Sequence, residues 1–95
     1  MAAIGVLTLE LRVEGSHSLK EKRHVVQSLK DRLRHKFNVA VAEIDHQDLW
    51  QRATLAAVTV SSDRGIAEKT LLGVEEESAS MAGGALVGTS VEWIE

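Results

Sequence analysis

The residues able to do chemistry are few, and most are spaced wrongly for it. Asp45, His46 and Asp48 lie close enough in sequence to touch one hard cation. The same residue types are ordinary turn formers, and HQDL between two apolar runs reads as a turn. Glu43 and Asp45 are two positions apart, so on a regular strand they share a face and could work as an acid–base pair. No nucleophile or pocket signal accompanies them, and counter-ions to the basic helix, or a hydrated outer face, is the better reading. His24 and His35 share a helix face but stand roughly 16 Å apart, too far to share a metal. Ser16, His17 and Ser18 have no orienting acid beside them and read as a helix cap. SSDRGIAEK at 61–69 offers one Gly and no phosphate-loop pattern. Cys is absent, which removes thiolate ligands and nucleophiles. No catalytic residue, metal or cofactor is expected, and the chain is read as a non-enzyme.

Charge is the stronger signal. Residues 16–37 carry seven basic and two acidic groups, although the whole chain has a net charge of -3. Residues 38–95 carry three basic and ten acidic groups. On a helix, Lys20, Arg23, Gln27, Lys30 and Arg34 recur every three or four residues and form one stripe that could follow a phosphodiester backbone. Lys20, Lys22 and Arg23 stand in the first turns, where the helix dipole disfavours cations and favours an anion. Ser16 to Arg23 is therefore expected to open a phosphate-binding site that Lys30 and Arg34 continue. Lys22 falls inside the apolar arc instead. It is expected to run its stem along the core and pair with a strand carboxylate.

The elements that position these residues follow from periodicity. Leu7, Leu9, Leu11 and Val13 alternate with Thr8, Glu10 and Arg12, a half-buried strand over 4–14. Ser18 and Glu21 form a capping box. Leu19, Val26, Leu29, Leu33 and Phe37 then mark the core face of a helix over 19–36, with Asn38 as its stop. Strands follow at 39–45 and 50–61, the second presenting Thr54, Ala56, Val58 and Val60 on one side. Asp63 or Ser62 caps a second helix whose buried face is read as Ile66, Ala67, Thr70, Leu71, Val74 and Met81. Gly65 and Gly73 argue for irregularity in it, and Gly83 and Gly84 end it. The last strand covers 86–94. The order βαββαβ with right-handed crossovers predicts an α+β, ferredoxin-like domain over 1–95: a four-stranded antiparallel sheet with two helices on one face.

Within this frame, SLKEKR at 18–23, FNVAVAE at 37–43 and IDHQDLWQRATLAAVTVSSD at 44–63 resemble the YlxP-like family of small bacterial proteins. The resemblance implies a ferredoxin-like domain with no agreed catalytic residues. It also implies a link to translation, because the family's genes often stand beside those for initiation and ribosome-binding factors. The expected partner is ribosomal RNA or a ribosome-assembly protein, met through the stripe in the cytoplasm. Tyr is absent, and Phe37, Trp50 and Trp93 are read as core or interface residues. RNA contact is thus expected through backbone and shape, without base stacking on the sheet. The longest uncharged run, Ser78 to Val91, is too short and polar to span a bilayer. The sheet face left bare by the helices, or an edge strand, is expected to support a homodimer. The alternative is a dimeric structural or regulatory module whose basic helix contacts an acidic protein.

Overall fold

In the computed structural model, which describes residues 1–94, the chain forms β1 (Ala3–Arg12), α1 (Leu19–Lys36), β2 (Ala40–Asp45), β3 (Arg52–Ser61), α2 (Arg64–Ala82), a 3-10 turn (Gly83–Ala85) and β4 (Leu86–Ile94). The strands pair antiparallel in the order β2-β3-β1-β4. Leu7, Leu9 and Leu11 of β1 and Ala53, Leu55 and Ala57 of β3 are buried with Val26, Leu29 and Leu33 of α1 and Leu71 and Val74 of α2. Both helices therefore cover one face, as the pattern predicts, and the alternate residues of the strands form an open face.

The ends of α1 fall where the sequence places them. The Ser18 hydroxyl accepts the Glu21 N–H at 3.1 Å, while the Glu21 carboxylate accepts the His17 N–H at 2.7 Å. The reciprocal bond of the capping box has moved back by one residue. Asp63 caps α2 by accepting from Gly65 and Ile66. Gly65 and Gly73 do not interrupt α2. A Cβ at Gly73 would lie 2.7 Å from Cε1 of Phe37, so the missing side chain is what admits the Phe37 ring between the helices. Gly5 plays the same part on the sheet, where a Cβ would meet Leu71 and Trp93 at 2.7 Å.

Several expectations are corrected. The buried stripe of α2 is Ala67, Leu71, Val74 and Ser78, while Ile66 and Met81 are exposed. Ile66 lies about 100° around the helix from Ala67, off this narrow seam. Strand β2 begins at Ala40 and β3 at Arg52. The connection is longer than a tight hairpin because His46 adopts a left-handed φ of 62° and its carbonyl accepts the Leu49 N–H. Trp50 is consequently left on the hairpin tip, 52% exposed, and does not reach the core. Glu43 and Asp45 do not share a face. The β2–β3 register shifts between them, so Glu43 stands opposite Leu55 and Asp45 opposite Thr54. Neighbouring residues on β3 point to opposite sides, and the two carboxylates part accordingly. Among the described residues no helix is long and apolar enough to cross a membrane.

One polar contact sets the position of α1. Lys22 has a side chain 0% exposed, and its Nζ lies 2.9 Å from Glu43 Oε2. The ammonium directs a hydrogen bond to the His46 carbonyl, so the contact with Glu43 is chiefly ionic. This is the strand carboxylate partner that the sequence leads one to expect. Losing one member of such a pair strands the other in a low-dielectric setting, whereas replacing both with apolar groups is much cheaper. Lys22→Met is expected to destabilise by about 3 kcal/mol, and Lys22→Met with Glu43→Leu by less than half of that. Urea unfolding of both variants checks this; an equal loss in the two would show that the ion contact is not the source.

Candidate nucleic-acid interface

Helix α1 buries Lys22, Val26, Leu29 and Leu33. That orientation leaves Lys20, Arg23, Gln27 and Arg34 exposed and Lys30 half-buried on one flank. Lys20 and Arg34 are separated by roughly 21 Å of helix. The structure thus brings the five stripe residues onto one surface, but it does not leave them equivalent.

Asp31 takes part of the stripe for itself. Its Oδ1 accepts from Gln27 Nε2 at 2.8 Å and from Arg34 Nη2 at 2.7 Å. The bond from Arg34, then that from Gln27, holds the Asp31 carboxyl below its ordinary value, so it stays charged and offsets Arg34. The i,i+3 and i,i+4 spacings of this triad were a signal available in the sequence. On the other flank, Arg32 and Lys36 both donate to Glu77 of α2, at 2.9 and 2.7 Å. No local pattern announces that pairing, because it joins two helices across a long separation in sequence. Lys20, Arg23 and Lys30 are left with no carboxylate within ion-pair distance among the described residues.

The start of α1 is also modified. Ser18 and Glu21 already satisfy two backbone donors there, and Glu21 supplies negative charge where the helix dipole favours it. An incoming phosphate would meet the side chains of Lys20 and Arg23 more readily than the helix terminus. The aromatic residues do not form a stacking surface on the open face. Trp93 points to the helix side beneath Arg64, whose guanidinium carbon lies 4.0 Å from the ring centroid. Phe37 is half-buried against the core. Asp45 and His46 are engaged in their turn, where the Asp45 carboxylate accepts the His46 N–H at 2.8 Å.

The Glu77 clamp has a definite pH signature. The hydrogen bond from Lys36 is the main cause of a pKa below the ordinary 4.5, and the bond from Arg32 adds to it. A group whose folded value is depressed contributes stability at neutral pH and loses it as pH falls through that folded value. Glu77→Gln is therefore expected to unfold more easily than wild type at neutral pH. The difference should close as pH falls below 4.5. Thermal unfolding across this range tests the clamp, and a difference independent of pH would refute its ionic character.

Residues 4–91 match the family described as "Protein of unknown function (DUF503)". The uncharacterized protein YlxP of Bacillus subtilis (strain 168) is 43% identical over 68 residues, which cover 72% of this chain and 74% of YlxP. Among solved structures, the de novo designed protein Foldit4 is similar with a TM-score of 0.61 at 9% identity, over 100% of this chain and 98% of the design. The cofactor-independent oxygenase SnoaB from Streptomyces nogalater is similar with a TM-score of 0.54 at 12% identity, over 98% of this chain and 91% of the oxygenase. At these identities the structural likeness speaks for the ferredoxin-like fold alone, since one fold hosts many activities. The chain belongs to the DUF503 family, whose YlxP-like members have no assigned function.

Proposed function

We propose that this protein is a non-catalytic, cytoplasmic RNA-binding protein that contacts ribosomal RNA through α1 during translation or ribosome assembly. The observation that supports this most is the division of labour among the cations of α1. Lys22 serves the core, Arg32 and Lys36 hold Glu77, and Arg34 is shared with Asp31. Lys20, Arg23 and Lys30 have no such duty and lie along one flank. Cations with no internal partner, spaced over several turns, suit successive phosphates. The ribosomal identity of the RNA comes from the family resemblance. The non-catalytic reading rests on the carboxylates: Glu43 is committed to Lys22 and Asp45 to its turn.

Co-sedimentation with purified small ribosomal subunits tests this reading. Binding is expected at low salt, with a log–log salt slope of about -2 to -3 for three phosphate contacts. Changing Lys20, Arg23 and Lys30 together to Glu should abolish it in a folded protein. Arg34→Gln should weaken it less, because Asp31 already occupies that guanidinium. Wild type left in the supernatant at low salt would refute the proposal. Salt-sensitive binding that survives nuclease treatment would instead favour an acidic protein partner.

A second observation favours self-association. Ile4 pairs with both Val60 and Ile94, and Val6 pairs with Val58, so these side chains form one apolar patch on the open face. Val58, Val60 and Ile94 are 36%, 52% and 51% exposed. A second copy related by a two-fold axis would set this patch against itself. Sedimentation equilibrium at tens of micromolar should give a dimer for wild type and a monomer for Val60→Asp with Ile94→Asp. A monomeric wild type would rule the dimer out at that concentration.

A further inference from the structure

The other end of the open face has a different character. The β1–β3 register sets Arg12 directly opposite Arg52. Directly paired residues project from the same face, with Cβ atoms about 5 Å apart, and like charges so placed are destabilising. Both arginines continue the alternation of Thr8, Glu10 and Thr54, so both guanidinium groups stand on the open face. Neither has a carboxylate within ion-pair distance among the described residues. Glu10 is two residues from Arg12, yet its Oε2 accepts the Thr54 hydroxyl at 2.7 Å. Asp45 bonds the backbone N–H of His46.

The pair borders a cavity of about 550 Å³. Its floor is open for a structural reason. Gly88 lies opposite Glu10 and carries no side chain, and the β1–β4 register shifts immediately after that pair. Ile44 and Val87 supply apolar wall, and His46 lines it with two carboxylates, Glu10 and Asp45, which accept from the Thr54 hydroxyl and the His46 N–H. Two planar forks of donors with no internal acceptor, on one wall of a partly apolar cavity, match the geometry in which arginine holds carboxylate or phosphate oxygens.

We infer that Arg12 and Arg52 form a binding site for a small oxyanion, a carboxylate or phosphate compound whose body rests on Ile44 and Val87. This site lies on the sheet, on the face opposite α1. Its position is roughly 27 Å along β1 from Ile4 in the apolar patch, so it stands apart from that patch as well.

Thermal unfolding of the full chain at matched ionic strength in sodium chloride, phosphate or citrate tests the site. Phosphate or citrate at saturation should raise the midpoint above chloride by at least about 4 °C. The salt with the larger effect identifies the preferred group. Arg12→Gln and Arg52→Gln should each remove the shift. Arg12→Lys, which keeps the charge but not the fork, should remove most of it and covers the case where a Gln variant fails to fold. Changing Lys20, Arg23 and Lys30 to Glu should leave the shift intact, separating this site from α1. Without ligand and at low salt, either Gln variant should unfold no earlier than wild type, because it relieves repulsion. Equal midpoints in the three salts would overturn the assignment, as would a shift that persists with both arginines changed to Gln.

Discussion

The buried ammonium of Lys22 must reach both the Glu43 carboxylate and the His46 carbonyl, and this requirement sets how α1 lies on the sheet. A charge with no water around it tolerates little displacement of its partners, because each lost contact leaves an ion in a medium that solvates it poorly. Rotating α1 by one residue would swing Lys22 by about 100° out of the core. The rotation that satisfies Lys22 also turns Lys20, Arg23 and Lys30 outward. The same contact reaches into the hairpin. The His46 carbonyl accepts from Lys22 and from the Leu49 N–H while His46 holds a left-handed φ. That conformation is uncommon for a residue other than Gly, and two donors on one carbonyl help to sustain it.

Charge on this protein is sorted by task. The excess of cations in one segment of an acidic chain has four separate explanations in the structure: a core ion, an interhelical clamp, a local pair and an unpaired flank. Glu77 draws the ends of α1 and α2 together through two cations, close to where Phe37 enters the gap left by Gly73. Of the α1 cations, those of the unpaired flank are the ones left without an ion-pair partner among the described residues. On the sheet, apolar side chains gather where β1 begins and arginines where it ends. The helical surface and the two ends of the open face can therefore serve different partners without competing.

Much of this was legible from local pattern. The bounds of α1 follow from the Ser18 cap and the spacing of Val26, Leu29 and Leu33. The last strand follows from the glycines before Leu86. The partner class of Lys22 follows from a cation inside an apolar arc. The failures have a common physical origin in contacts that local spacing does not encode. A one-residue shift in the β2–β3 register moved Asp45 to the face opposite Glu43, overriding strict alternation. The left-handed turn at His46 lengthened the connection and put Trp50 outside. In α2 the sheet covers a narrower arc than the spread of apolar residues, so Ile66 stays exposed. The stripe was legible as a geometry, and the spacing of Asp31 from Gln27 and Arg34 signalled its partial neutralisation, but the pairing of Arg32 and Lys36 with Glu77 needed the packing of the two helices. Arg12 and Arg52 belong to strands far apart in sequence, and only the pairing register brings them together.

The most direct test of the central claim is a nuclear magnetic resonance titration of the isotope-labelled protein with a short ribosomal RNA duplex at low salt. Shift changes are expected to concentrate at Lys20, Arg23 and Lys30 and to fade as salt is raised, with little change at Arg12, Arg52 or Val60. Changes centred on the open sheet face, or none at all, would contradict it.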